Sequence, residues 1–86
     1  MTAVIITHEV EDVSHWLTSP KRTEVFPPLG ATFRTFVDPS GSNLVGLVVE
    51  VPDMAAFQAM LQSPEGGEAL KFDRIRPKTI KMLIAS

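Results

Sequence analysis

Four segments of the chain have the hydrophobic patterning of β-strands: residues 3–8, 30–38, 44–51 and 79–85. The second segment alternates apolar and polar side chains, whereas the third is almost continuously apolar. A run dense in turn-forming residues, 38–42, separates these two and predicts a hairpin connection. Because successive side chains of a strand point to opposite faces, each segment divides into two sets of positions.

Helical spacing predicts two helices between these strands, beginning at Asp12 and at Pro52-Asp53. Their apolar side chains recur at i, i+3 and i+4: Val13, Trp16 and Leu17 in the first helix, and Phe57, Met60 and Leu61 in the second. Ser-Pro pairs at residues 19–20 and 63–64 each predict a break followed by a new helical start. The second of these leads into a shorter helical stretch around residues 68–72.

The resulting order of strand, helix, strand, strand, helix, strand predicts one α+β domain over residues 1–86 with the ferredoxin-like βαββαβ arrangement. Strands one and three are apolar on both sets of positions, which is typical of central strands, and strands two and four alternate with polar residues. Right-handed crossovers then give an antiparallel sheet of order 4-1-3-2 with both helices on one face.

The two faces of this sheet are predicted to differ in polarity. One face carries almost only apolar residues: Ala3, Ile5, Phe33, Val37, Val45, Leu47, Val49, Val51, Ile80, Met82 and Ile84. The other combines apolar residues with four charged or titratable ones: Val4, Ile6, Phe36, Leu44, Val48 and Leu83, with His8, Arg34, Glu50 and Lys81. We expect the helices to cover the first face and leave the mixed face open.

An uncovered apolar face of this size is typical of an interface or a ligand groove. Packing two mixed faces together predicts a homodimer through the open sheet face, and this dimer would enclose a cavity lined by apolar residues and the four polar groups. Such a lining is the usual composition of small-molecule pockets. The expected ligand is therefore a small apolar molecule.

Composition excludes several other classes of protein. The 86 residues contain no cysteine, which excludes disulfides, a thiolate nucleophile and cysteine-bound metal. A net charge of −2 with scattered basic residues argues against nucleic acid or anionic lipid as a partner. No apolar run approaches the ~20 residues that span a bilayer, and no basic segment precedes a signal-like core. We expect a cytoplasmic protein.

Three features of the chain resemble the small dimeric α/β-barrel proteins, including antibiotic-biosynthesis monooxygenase-like and stress-responsive barrel domains. They are the string His8-x-Val10-x-Asp12-x-x-x-Trp16, the Asp38-Pro39 turn with Asn43 before a Val-rich strand, and the helix from Asp53 to Ser63-Pro64. The resemblance implies a ferredoxin-like fold and dimerisation through the open sheet face. It also implies oxygenase or cyclase chemistry without a bound cofactor, while the interrupted first helix argues against haem degradation.

Chemistry is expected from a few residues of the mixed face. His8, at the end of strand one, is the predicted general base, and Arg34 or Lys81 would stabilise a developing oxyanion. Trp16, Phe36, Glu50 and Lys81 are the predicted ligand-binding residues. The alternative roles are structural, with His8 hydrogen-bonded to the following turn, Trp16 in the core, and the charged residues paired with each other.

Metal chemistry is not expected. His8-Glu9-Val10-Glu11-Asp12 begins like a zinc-protease motif but has Asp12 in place of the second histidine and leaves a strand. Residues 20–28 form either a surface turn or a lid in which Lys21 and Arg22 meet an anionic substrate. Two functions stay open: a cofactor-independent monooxygenase- or cyclase-like enzyme acting on an apolar or aromatic molecule, and a non-catalytic module for ligand binding or dimerisation.

Overall fold

The computed structural model describes all residues, Met1 to Ser86. It contains four strands, four short α-helices and two 3₁₀ turns. The strands are β1 (Thr2–Glu9), β2 (Thr32–Val37), β3 (Leu44–Val51) and β4 (Lys81–Ile84). The helices are α1 (Val13–Thr18), α2 (Lys21–Val25), α3 (Met54–Leu61) and α4 (Pro64–Phe72), and the 3₁₀ turns are Pro27–Leu29 and Pro77–Thr79.

The four strands form one antiparallel sheet of order β2-β3-β1-β4. The apolar strands β1 and β3 pair along their whole length, from Thr2 opposite Val51 to Glu9 opposite Leu44. Strand β4 pairs with β1 over residues 4–7, and β2 pairs with β3. This confirms the predicted α+β ferredoxin-like fold, the strand order and the central position of β1 and β3.

Side-chain caps begin the helices where the sequence predicts them. Asp12 accepts a hydrogen bond from the His15 amide at 3.1 Å and caps α1. Asp53 caps α3 and Ser63 caps α4 in the same way, with Pro64 in the first turn of α4. The two Ser-Pro pairs thus interrupt each helical region as expected, although α4 begins at Pro64 and is longer than predicted.

Gly66 allows α4 to lie close against the end of α3. A Cβ atom at this position would clash with the carbonyl oxygen of Met60, a residue of α3. Only glycine therefore fits here without moving the backbone. The close approach brings Leu61 and Leu70 towards the same part of the interior.

The core lies between the sheet and the helices. Its fully buried side chains come from both central strands and from the helices, and include Val4, Val49, Val51, Trp16 and Phe57. Half-buried apolar residues such as Phe33 and Met82 pack against them. The helices thus cover one face of the sheet, which we call the covered face.

The predicted orientation of β1 is wrong by one residue. Val4, Ile6 and His8 are buried on the covered face, opposite Val49, Leu47 and Val45, and Ile5 lies on the other face. Ala3 and Ile5 were expected in the core because both sets of β1 positions are apolar. The decisive signal is Val10, which is fully buried and continues the set of Val4, Ile6 and His8, whereas the set of Ala3 and Ile5 continues into Thr7 and Glu9.

The opposite side of the sheet, which we call the open face, has no helix on it. Large apolar side chains on this face are exposed, namely Ile5, Phe36, Leu44 and Leu83. Register places Arg34 opposite Val48, Glu50 opposite Ala3 and Thr32, and Lys81 opposite Thr7, so these charged residues belong to the same face. The orientation predicted for β2, β3 and β4 is therefore correct.

No helix of the chain has the length and apolar character needed to cross a membrane.

Candidate functional site

A cavity of about 290 Å³ lies between the covered face and the helices. Its floor is formed by Ile6 and His8 of β1, Leu47 of β3 and Met82 of β4. The remaining lining comes from α2, the end of α3, α4 and the segments that follow them: Lys21, Arg22, Val25, Phe26, Met60, Leu61, Gly66, Ala69, Leu70, Asp73, Ile75 and Ile80. The lining is predominantly apolar, with polar groups contributed by His8, Lys21, Arg22 and Asp73.

His8 is placed in this cavity by the register of β1, which pairs it with Val45 on the covered face. The residue is only 2% exposed. Its imidazole meets the Trp16 ring edge-on, with centroids 5.8 Å apart. The Nδ1 atom is buried and has no hydrogen-bond partner. His8 therefore does not make the predicted alternative contact with the turn that follows it.

Arg22, on α2, lies beside His8 with only 6% of its surface exposed. Its guanidinium stacks over the Trp16 ring at 4.4 Å and donates a hydrogen bond from Nη2 to the Trp16 carbonyl oxygen. Nη1 lies 3.4 Å from Oδ2 of Asp73, which is 3% exposed at the end of α4. A buried ion pair thus joins α2 to α4 at the polar end of the cavity.

The electrostatics of this end keep His8 neutral. Burial and, to a lesser extent, the nearby positive charge of Arg22 together lower the pKa of His8 from 6.5 to about 4. Burial also lowers the pKa of Arg22, and the Asp73 carboxylate partly offsets this effect. At neutral pH the site therefore combines an uncharged imidazole with one cation and one anion.

Three buried polar atoms in this cluster have no partner: His8 Nδ1, Arg22 Nε and Asp73 Oδ1. An unsatisfied buried polar atom costs about 1–3 kcal/mol. The cluster is thus less favourable for stability than an apolar one of similar volume. Titratable groups with perturbed pKa values beside a cavity are typical of functional sites.

The structure divides the predicted site residues between the two faces of the sheet. His8 lines the cavity, and Trp16 packs in the core behind it and supports both His8 and Arg22. Arg34, Phe36, Glu50 and Lys81 lie on the open face, away from His8. Their suggested roles in ligand binding and catalysis stay predictions, and within this chain they form no shared site with His8.

Sequence reasoning missed the contribution of Arg22 and Asp73 to the cavity. Spacing carries a signal for both: Arg22 precedes Val25 and Phe26 at i+3 and i+4, and Asp73 follows Ala69 and Leu70 at the same offsets. Each charged residue thus lies on the apolar face of its helix. Of the pair considered for a lid, Lys21 is half-buried, with its ammonium 5.2 Å from the Phe72 ring, while Arg22 is inside.

No group of three or more His, Asp or Glu side chains is placed to hold a metal ion. The polar side chains of the cavity have chemistry of their own. A neutral imidazole can accept or donate a hydrogen bond or take a proton, and a guanidinium can stabilise negative charge on a ligand oxygen.

Two crystal structures share this fold over the whole chain. An antibiotic biosynthesis monooxygenase has a TM-score of 0.67 and 15% sequence identity, covering 100% of this chain and 97% of that one. A protein from Deinococcus radiodurans assigned as a candidate antibiotic biosynthesis monooxygenase has a TM-score of 0.63 and 14% identity, covering 100% and 91%. No protein-family model and no curated protein matches the sequence. The predicted resemblance is thus confirmed at the level of the fold, which this chain shares with antibiotic biosynthesis monooxygenase structures.

Proposed function

We propose that this chain binds a small apolar or aromatic molecule in the cavity beneath the covered face and acts on it as a monooxygenase- or cyclase-like enzyme without a bound cofactor. The observation that carries the proposal is the cavity of about 290 Å³ whose apolar lining ends in His8, Arg22 and Asp73. Ligand pockets typically combine such a lining with a few fixed polar groups.

His8 and Arg22 divide the chemistry in this proposal. His8 accepts the proton of a ligand hydroxyl, and the Arg22 guanidinium stabilises the oxyanion left behind. Because the pKa of His8 is about 4, it is a weak base. Proton transfer therefore depends on the developing oxyanion meeting Arg22. In the monooxygenase case the ligand anion would react with O2, one oxygen atom of which bonds to a ring carbon while the other leaves as water with the ring hydrogen and the hydroxyl proton. In the cyclase case a ligand carbon would attack a carbonyl group of the same molecule, whose oxygen takes up the proton held by His8.

Asp73 and Trp16 hold this arrangement in place. The Asp73 carboxylate and the Trp16 carbonyl together occupy the two Nη atoms of Arg22, and the Trp16 ring supports both the guanidinium and the imidazole. The side chains that would act on a ligand are therefore already oriented in the free protein.

The proposal includes a homodimer formed through the open face. The exposed side chains of Ile5 on β1 and Leu83 on β4 lie opposite each other on that face, and Val48 of β3 lies on the other side of Ile5. A contiguous apolar patch of this kind is typical of an interaction surface. A small domain also gains buried apolar area by association, which raises its stability.

A non-catalytic binding module is the second candidate function. The low pKa of His8 favours it, because a group that stays neutral and weakly basic at pH 7 can bind a ligand without turning it over. The same cavity and the same ligand class apply to both candidates, so measurement of turnover separates them.

The test uses 1-naphthol as an electron-rich aromatic probe under air at pH 7. Oxygen uptake and product mass are followed for the wild type, His8→Phe, Arg22→Gln and Arg34→Gln. Enzyme chemistry at the cavity predicts uptake above the buffer rate that is lost in His8→Phe and Arg22→Gln and kept in Arg34→Gln.

Loss of uptake in Arg34→Gln but not in Arg22→Gln would move the oxyanion-stabilising role to the open face, as sequence analysis suggested. Saturable binding with no uptake in any protein would favour the binding module. Absence of binding at millimolar probe would contradict the proposed cavity function altogether.

A further inference from the structure

We propose that the cavity selects an uncharged two-ring aromatic molecule carrying a single hydroxyl or carbonyl group, and that it excludes carboxylates. This inference rests on the proposed binding function and adds the size, charge and polarity of the ligand. It follows from the volume of the cavity, the identity of its apolar lining and the charge balance at its polar end.

The volume sets the size of the ligand. A dry apolar cavity of about 150 Å³ accommodates benzene, which has six non-hydrogen atoms. The present cavity of about 290 Å³ is roughly twice as large and so fits about twice as many atoms, the size of a hydroxylated naphthalene. The cavity is open to solvent on one side, so a four-ring compound exceeds this space and would leave part of its apolar surface in water.

The lining favours a flat aromatic molecule. Met60 of α3 lines the helix side of the cavity and Met82 of β4 lines the sheet side. Phe26, which follows α2, contributes an aromatic ring to the lining. Thioether sulfur atoms make favourable contacts with aromatic ring edges, and aromatic pairs add about 0.5–1.5 kcal/mol beyond their buried area. The aliphatic side chains of Ile6, Leu47 and Leu70 extend this apolar lining.

The charge balance at the polar end favours a neutral ligand. Arg22 is already paired with Asp73 at 3.4 Å and with the Trp16 carbonyl, so its positive charge is compensated before any ligand arrives. A ligand carboxylate would lie near the Asp73 carboxylate, and Nε is the one guanidinium nitrogen of Arg22 without a partner, which suits a single ligand oxygen but not two. Burying such an anion is strongly unfavourable.

Lys21 does not supply the missing cation in this arrangement. Its ammonium lies 5.2 Å from the centroid of the Phe72 ring, and Phe72 is exposed and absent from the cavity lining. The ammonium is therefore directed to the surface, where solvent screens its charge. His8 offers a hydrogen-bonding ring nitrogen and no net charge, which suits one hydroxyl or carbonyl group.

The test measures dissociation constants at pH 7 for four probes by equilibrium dialysis: 1-naphthol, naphthalene, 1-naphthoate and 1-hydroxypyrene. We expect 1-naphthol to bind at least tenfold more tightly than 1-naphthoate and 1-hydroxypyrene, and a few-fold more tightly than naphthalene because of one hydrogen bond. In His8→Phe the preference for 1-naphthol over naphthalene should disappear.

Two further variants test the charge argument. Asp73→Asn removes the anion that compensates Arg22, so 1-naphthoate should gain affinity at least tenfold relative to 1-naphthol. Lys21→Gln should leave this ratio within about threefold of the wild type. Asp73→Asn is expected to destabilise the fold. If this variant does not fold, the ratio of the dissociation constants of 1-naphthoate and 1-naphthol for the wild type still tests the selectivity.

Failure of this inference differs from failure of the proposed function. If 1-naphthoate or 1-hydroxypyrene binds the wild type as tightly as 1-naphthol, ligand binding holds and the stated selectivity is overturned. If the affinity for 1-naphthoate depends on Lys21, the charge argument is overturned in the same way. If none of the four probes binds at millimolar concentration, the proposed function itself is contradicted.

Discussion

The two faces of the sheet carry their polar groups in opposite ways. On the covered face, His8, Arg22 and Asp73 are nearly inaccessible to solvent and leave three polar atoms without partners. On the open face, Arg34 and Glu50 are solvent-exposed among exposed apolar side chains. The first cluster is buried at a cost to stability, whereas the second keeps its hydration.

This difference supports the proposal that the covered face carries chemistry and the open face carries association. Buried groups have perturbed pKa values and strong mutual interactions, because the surrounding dielectric is low. Exposed charges at a sheet surface interact weakly and are screened by salt. Substitutions of the same kind on the two faces should therefore have very different effects.

The largest difference is expected for removal of one carboxylate on each face. Asp73→Asn leaves the buried Arg22 guanidinium without its counter-charge and should lower the free energy of unfolding by about 3 kcal/mol. Glu50→Gln, on the open face, should change it by less than about 0.5 kcal/mol. Urea unfolding at pH 7, with the protein concentration held constant, measures both values.

Equal effects of the two substitutions would contradict the burial assigned to the Arg22–Asp73 pair. A loss at Glu50 exceeding that at Asp73 would indicate that the open face carries the more important ion pair and that association of two chains forms it.

A second comparison tests association through the open face. Ile5 on the open face and Leu17 on α1 are 44% and 46% exposed, so glutamate should be tolerated at both positions in a monomer. If the open face forms the dimer, Ile5→Glu should raise the dimer dissociation constant at least about 100-fold, or about 2.7 kcal/mol. Leu17→Glu should leave it unchanged.

Sedimentation equilibrium provides this measurement, since the chain has a mass of 9.4 kDa and a dimer has twice that mass. A wild-type chain that stays monomeric at high micromolar concentration would refute the dimer. A dimer that dissociates in Leu17→Glu but not in Ile5→Glu would place the interface on the helices.

A smaller effect is expected from the pH dependence of stability. Since the pKa of His8 falls from 6.5 to about 4 on folding, the unfolded chain binds a proton more readily between these values. The contribution of neutral His8 to the free energy of unfolding is therefore complete above pH 6.5 and decreases as the pH falls towards 4. At pH 5 the loss should be about 2 kcal/mol.

The variant His8→Phe isolates this contribution, because the other titrating groups are common to both proteins and the phenyl ring can keep the edge-on contact with Trp16. Above pH 6.5 the difference in free energy of unfolding between the two proteins should not depend on pH. Between pH 6.5 and pH 5 the wild type should lose about 2 kcal/mol relative to the variant. Parallel curves over this range would show that His8 titrates normally in the folded chain.

Most of the fold could be predicted from the sequence because its signals are local. Asp12, Asp53 and Ser63 cap helices at the expected positions, and the residues 44–51 form β3 as their apolar run indicates. The strand order follows from the polarity of the strands and the handedness of crossovers. These features depend on neighbours in sequence and on general rules of chain geometry.

The site could be predicted only in part because it depends on contacts between distant segments. The sequence marks His8 as a polar residue on an apolar strand but assigns it to the wrong face, since both sets of β1 positions are apolar and the cross-strand register decides between them. The pairing of Arg22 with Asp73 joins residues 51 positions apart. Helical spacing indicates that each faces inward, but it does not indicate that they meet.

The most direct test of the account is methyl NMR of the chain titrated with 1-naphthol. Three adjacent residue pairs place one methyl-bearing side chain on each face of the sheet: Ile6 and Ile5, Leu47 and Val48, and Met82 and Leu83. Binding beneath the covered face predicts saturable shifts at Ile6, Leu47 and Met82, with Ile5, Val48 and Leu83 nearly unchanged. Shifts confined to Ile5, Val48 and Leu83 would place the ligand on the open face and contradict the account.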